Sequence, residues 1–192
     1  MKKTVLIVLL AAAIVGLSVF STYIVRRDEI AARRQSVDQA WKHVNTAMEQ
    51  RADLVPALLA TLRTTASRNR AVADEAEHAR ADVESASTPA DTIAANRRLD
   101  ASVARLLVAA KDDTDLVFNQ KFFVMQEKWA VTSNRIAPER AHYDRAVQDY
   151  NHFIADFPNH VFARWAHFAP LENYFAADAN ATSQGTADLM GI

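Results

Sequence analysis

Apolar and polar positions divide the chain into an unbroken apolar run, a long region of helical stripes and a tail without period. The run reads TVLIVLLAAAIVGLSVFSTYIV from Thr4 to Val25 and holds no charged side chain. At about 1.5 Å of rise per residue, its roughly 22 residues make a helix of about 33 Å, enough to cross a hydrocarbon core of about 30 Å. Beyond it, Val37, Trp41, Val44 and Met48 recur at spacings of four, three and four, one stripe of an amphipathic helix that continues directly from the run.

Arg51 to Pro56 breaks this stripe. Pro56 lacks an N–H and is tolerated in a first turn, and Asp53 can accept from the free amides there, so a corner is predicted. A second stripe follows in Val55, Leu58, Leu59, Leu62, Ala66, Val72, Ala76, Ala79 and Val83. Thr88, Pro89 and Asp91 then read as a helix start with proline in its first position. Ile93, Leu99, Val103, Leu106, Leu107 and Ala110 form the third stripe, and Thr114 or Asp115 is available to cap the next helix. The fourth carries Phe122, Met125, Trp129, Ile136, Tyr143, Val147, Tyr150, Ile154 and Phe157 and stops before Pro158. Pro138 lies inside it and is expected to kink or break it. These stripes read as core, with Trp41 and Leu58 buried together, which predicts an all-α fold: an antiparallel four-helix bundle of long helices with a short C-terminal aromatic helix over residues 26–177, behind an anchor at residues 1–25. From Asp178 the apolar period is lost, and residues 178–192 are expected to be a disordered tail.

Lys2 and Lys3 ahead of an apolar run also begin secretory signals. A signal's apolar core is about 7 to 15 residues, shorter than this one, and the exit Tyr23, Ile24, Val25, Arg26, Arg27 is no small-x-small cleavage site. Tyr23 suits headgroup depth and the two arginines suit the water beyond. The reading is a retained single span whose partner is the lipid bilayer, through residues 4–25. Counting Lys2 and Lys3 against Arg26, Arg27, Arg33 and Arg34 places the carboxyl side in the cytoplasm. Asp28 and Glu29 interleave those arginines, however, and a short signal with two lysines can equally stay inside and translocate the chain beyond it.

Composition narrows the rest. Cys is absent from the 192 residues, so disulfides and thiolate metal sites are excluded. With 22 basic against 23 acidic side chains there is no basic excess to neutralise phosphates, so nucleic acid is not an expected partner. The three glycines, Gly16, Gly185 and Gly191, leave nothing in the body of the chain to build a phosphate loop.

Three motifs follow one another: Ala40 and Trp41 leading into QRADLVPALLATL from Gln50 to Leu62, NRIAPERAHYDRAV from Asn134 to Val147, and YNHFIADFP from Tyr150 to Pro158 followed by NYFAA from Asn173 to Ala177. In this order they resemble the LemA proteins of bacteria, which puts the expected span in the bacterial cytoplasmic membrane. The resemblance spans roughly Val37 to Ala177 and implies an amino-terminal span followed by an antiparallel bundle of long helices, with no assigned activity. Pro138 stands in a helix that the family leaves uninterrupted, and Asp144 replaces the asparagine expected after Tyr143.

A four-helix bundle can host a carboxylate-bridged metal pair through two Glu-x-x-His motifs, and Glu75 with His78 and Glu139 with His142 have that spacing. Their depths along the helices differ by about 17 Å at about 1.5 Å per residue, whereas bridged metals lie about 3.5 to 4 Å apart. The third helix supplies no Glu. No Ser stands in a glycine-bounded elbow, and His43, His152, His160 and His167 read as surface or interfacial groups. No catalytic, cofactor-binding or metal residue is therefore assigned, and no small-molecule substrate is expected. Asn119, Gln126, Asn134 and Asn151 either lie at the seam, fixing register, or face solvent. The aromatic segment with Phe162, Trp165, Phe168, Tyr174 and Phe175 either rests at headgroup depth or caps the open end of the bundle. The function expected is a membrane-anchored scaffold binding another protein or itself. The alternative is an envelope enzyme or metal-binding bundle completed by a partner or metal.

Overall fold

Helix α1 runs unbroken from Lys2 to Ala52 in a computed structural model that describes residues 2–62, 67–68, 70–111, 119–172 and 175. Helices α2 (Val55–Thr61), α3 (Arg70–Ser85), α4 (Pro89–Ala110), α5 (Gln120–Ala155) and α6 (Asn159–Trp165) follow, and the described residues contain no strand. The predicted caps at Thr114 or Asp115, and the tail from Asp178, lie outside the described residues.

The local chemistry of the boundaries is specific. At the corner after α1, Leu54 is the N-cap of α2 without a side-chain bond, and Pro56 sits in the first turn. The cap expected from Asp53 is therefore not made. Its own N–H instead donates to Glu49 O at 2.9 Å, which ends α1. The second stripe, expected on one helix, is divided: α2 closes at Thr61, and Leu62 leaves the helical basin with ψ 22°. Thr61 Oγ1 donates back to Ala57 O at 2.9 Å, a bond that competes with the backbone ladder. Thr88 caps α4 as expected, accepting from Asp91 N at 3.2 Å and donating to Asp91 Oδ2 at 2.6 Å, with Pro89 in the first turn. Asn119 caps α5 by accepting from Lys121 N at 2.9 Å.

Pro138 does not break α5, which continues to Ala155. The proline ring removes the donor for the carbonyl four residues back, at Asn134, and both residues are exposed, so water can satisfy that carbonyl. The chain changes direction only after Ala155, ahead of a cis Phe157–Pro158 peptide bond. Helix α6 ends in a Schellman motif: Phe168 N donates to Ala163 O at 2.9 Å and His167 N to Arg164 O at 3.3 Å, with His167 at φ 59°.

The chain divides into two compact units, Met1–Gln39 with Asp144–Asn173 and Ala40–Tyr143 with Tyr174–Ile192. In the first, Ile30, Val37, Val147, Tyr150, Ile154, Phe162 and Ala163 are buried. In the second, Ala52, Val55, Leu58 and Leu62 share a core with Ala73, Ala76, Ala79 and Val83 of α3, with Leu99, Val103, Leu106 and Ala110 of α4, and with Phe122. The alanine face of α3 lets α4 approach closely. Two ion pairs join these helices, Arg98 to Asp82 at 3.1 Å and Arg105 to Glu75.

Most stripe positions are buried, Leu59, Val72, Leu107, Met125 and Trp129 are half-buried against the core, Ala66 lies outside the described residues, and two positions depart from the reading. Phe157 is 83% exposed and belongs to no core. Trp41, expected in one core with Leu58, lies elsewhere. It is half-buried and packs against Tyr143 and Phe175, at centroid distances of 5.5 and 6.4 Å, whereas Leu58 is fully enclosed among α2, α3 and α4.

Candidate functional site

The first unit begins with a helix that presents apolar atoms on every side. Leu6, Ile7, Leu9, Leu10, Ile14, Val15, Leu17 and Phe20 are all exposed, and the most apolar window of this helix, near the N-terminus, is unburied. It is long and apolar enough to cross a membrane. Two of its hydroxyls are paired with the backbone, Ser18 Oγ donating to Ile14 O and Thr22 Oγ1 to Ser18 O, each at 2.9 Å. Hydroxyls paired in this way leave no unmet donor in hydrocarbon.

At the end of the run, the half-buried ring of Tyr23 lies 6.3 Å from both Phe162 and Trp165, and those two rings meet edge-on at 6.0 Å. Three anchors hold α6 there. Asn159 Nδ2 donates to Phe153 O at 3.0 Å ahead of the helix. Behind it, Tyr150 Oη donates to Ala169 O at 3.0 Å, while Asn151 both donates to Leu171 O and accepts from Leu171 N at 2.8 Å. Burial pushes the Tyr150 hydroxyl above its ordinary pKa, with Arg34 opposing, so it stays a donor. Arg33 lies over the Phe153 ring at 4.0 Å.

The second unit contains a polar node. Arg51, 4% exposed, donates to Asn96 Oδ1 at 2.6 Å and Ser133 Oγ at 3.3 Å, pairs with Asp100 Oδ1 at 2.8 Å, and has its guanidinium 5.3 Å from the Trp129 ring centroid. Helices α1, α4 and α5 therefore meet at one guanidinium. Burial pulls the Arg51 pKa down and pushes that of Asp100 up, each against the partner's opposite charge. Arg51 Nε and Asn96 Nδ2 are buried without a hydrogen-bond partner. The geometry of this node fits positioning of helices.

The other residues singled out in the sequence lie apart. Glu75 is exposed and bonded to Arg105, while His78 and His142 are exposed and Glu139 is half-buried. Among the described residues no three His, Asp or Glu side chains gather as metal ligands. His43, His152, His160 and His167 are exposed. Of the four amides considered for the seam, Asn151 holds the strap after α6, Asn119 caps α5, Asn134 is exposed and Gln126 half-buried. The buried amides are Asn159 and Asn96, and the signal of Asn96 was its place in line with Ile93, Leu99 and Val103 on an apolar stripe.

A model described as the LemA family matches residues 40–187. The chain belongs to the LemA family. No curated protein matches it. In this LemA protein the match takes in the Arg51 node and helix α6 but begins after the apolar run, so the run's character rests on its own residues.

Proposed function

We propose that this LemA protein is a non-enzymatic scaffold, anchored in the bacterial cytoplasmic membrane by a single span at residues 4–25. What carries the reading is the exposure of apolar side chains all around the first turns of a helix that continues into the folded region. In water such a surface would cost roughly 25 cal/mol for each Å² left uncovered. The folded part is an antiparallel helical bundle. Supporting this, the ion pairs between α3 and α4 link a later residue of one helix to an earlier residue of the other, Asp82 with Arg98 and Glu75 with Arg105. Arg51 tying α1 to α4 and α5 supports fixed register. An interaction role is favoured by Phe123, Val124 and Val131, exposed along α5. The bundle is on the cytoplasmic side, by the lysine and arginine count about the span.

Crosslinking in native membranes followed by alkaline extraction tests this reading. The chain is expected to stay in the membrane pellet and to yield a specific protein adduct, or a dimer of itself, at benzophenone placed on Phe123. Recovery in the supernatant would remove the anchor, and an adduct-free chain would remove the scaffold. Protease added to intact spheroplasts is expected to spare the bundle, and its digestion there would reverse the orientation.

A further inference from the structure

We propose that α6 is an interfacial foot: Trp165 and Phe157 bed into the phospholipid headgroup layer of the same bilayer that holds the apolar run. The inference rests on the span proposed above. It starts from Tyr23, three residues before Arg26 and so about 4.5 Å below the first charged side chain along the helix. A ring at that height, in an apolar run that ends in arginines, marks headgroup depth. Phe162 and Trp165 touch this ring, so α6 lies level with the boundary of the membrane.

The faces of α6 then divide as an interface requires. Asn159, Phe162 and Ala163 are buried against the body of the unit. Trp165 remains 59% exposed, and Phe157, just before the helix, is 83% exposed. Among the described residues, they are the exposed large hydrophobics of this unit beyond the apolar run. Water is a poor environment for both, whereas an indole beside the headgroups places its ring in the apolar margin and its N–H among carbonyls and phosphates. Arg164, exposed on the same helix, has a guanidinium suited to lipid phosphate.

A seven-residue helix would hold a membrane weakly by itself. Here the span has already delivered it to the surface, so contact is intramolecular and needs little affinity of its own. The bonds from Tyr150, Asn151 and Asn159 fix its height in advance, which lowers the ordering cost.

The test uses the full chain with Trp41→Phe and Trp129→Phe, reconstituted in vesicles of phosphatidylcholine and phosphatidylglycerol, so that only Trp165 emits. Lipids spin-labelled at the headgroup and upper acyl chain are expected to quench it, and acrylamide in the water to quench it weakly. A companion chain with Phe20→Trp and all three native tryptophans changed to Phe reports the span, and is expected to be quenched by labels deeper in the acyl chain. Deep quenching of the companion with Trp165 open to acrylamide and untouched by lipid labels overturns the foot and leaves the span standing. A companion untouched by lipid labels overturns the span and the foot with it. Because the chain has no cysteine, Phe157→Cys in the otherwise native protein, labelled with an environment-sensitive dye, gives a second reading at an exposed site. A blue shift on reconstitution is expected, and an unchanged, water-like emission maximum overturns the foot independently.

Discussion

Cutting Asp100 back to alanine isolates what the Arg51 node does. The substitution removes the acceptor 2.8 Å from Arg51 Nη1 and leaves a guanidinium whose side chain is 5% exposed with only Asn96 and Ser133. Leaving a buried donor without its acceptor costs about 1 to 3 kcal/mol, and an exposed pair is worth less than about 1. Asp100 is 41% exposed, so water reaches the gap, and the expected loss is about 2 kcal/mol, between those limits. Asp100→Asn keeps an oxygen for Nη1 and discards the charge. Burial raises the Asp100 pKa in the folded protein, so the folded state holds this proton more tightly than the unfolded one. Its contribution to stability is then full below the unfolded value of about 3.9 and is lost as pH rises through the folded value. Above that window Asp100→Asn is expected to be at least as stable as the parent, and the difference should close as the pH is lowered toward 4. Replacing the whole node, as Arg51→Met with Asn96→Leu and Asp100→Leu, removes the stranded donors as well and is expected to gain about 1 to 4 kcal/mol. Urea unfolding followed by circular dichroism in nonionic detergent measures all three, read as midpoint shifts at constant slope. An Asp100→Asn loss equal to that of Asp100→Ala would refute the reasoning, because charge and not the acceptor would then be the active quantity. A destabilised triple variant would refute it too.

Thr88→Ala removes the cap of α4 and should cost about 1 kcal/mol by the same unfolding measurement. Trp41→Ala should cost about 2 kcal/mol, below the 3 to 5 typical of an enclosed aromatic, because the indole is half-buried against Tyr143 and Phe175. His167→Gly relieves a left-handed backbone at φ 59° and should raise stability by up to about 1 kcal/mol, seen as a higher thermal midpoint.

How much of this is legible in the sequence depends on whether the cause is local. Thr88, Pro89 and Asp91 announce a helix start because the cap, the fixed φ and the reach to Asp91 N all lie within one turn. The α4 stripe is legible because burial at Ile93, Leu99, Val103 and Leu106 repeats with the helix period. Pro138 misleads because its cost depends on whether Asn134 faces water, which the tertiary fold decides. Arg51 is hidden for a related reason: in sequence it is a charge beside a corner, and only the approach of α4 and α5 encloses it. The aromatic segment reads in sequence as one body with one fate. Its rings in fact separate, Phe162 and Trp165 to Tyr23 and Phe175 to Trp41 and Tyr143, and those pairings span far too many residues for any local pattern to carry.

The absence of cysteine makes the central claim, a span at residues 4–25, directly measurable by single-cysteine scanning from Ala12 to Gln35 in reconstituted bilayers. A water-soluble maleimide is expected to miss every position through Val25 regardless of helix face, and to react from Arg27 onward at exposed positions such as Asp28 and Gln35. Reactivity recurring with helical period through Ala12 to Val25 would mean that one face of this helix meets water, and would contradict the span.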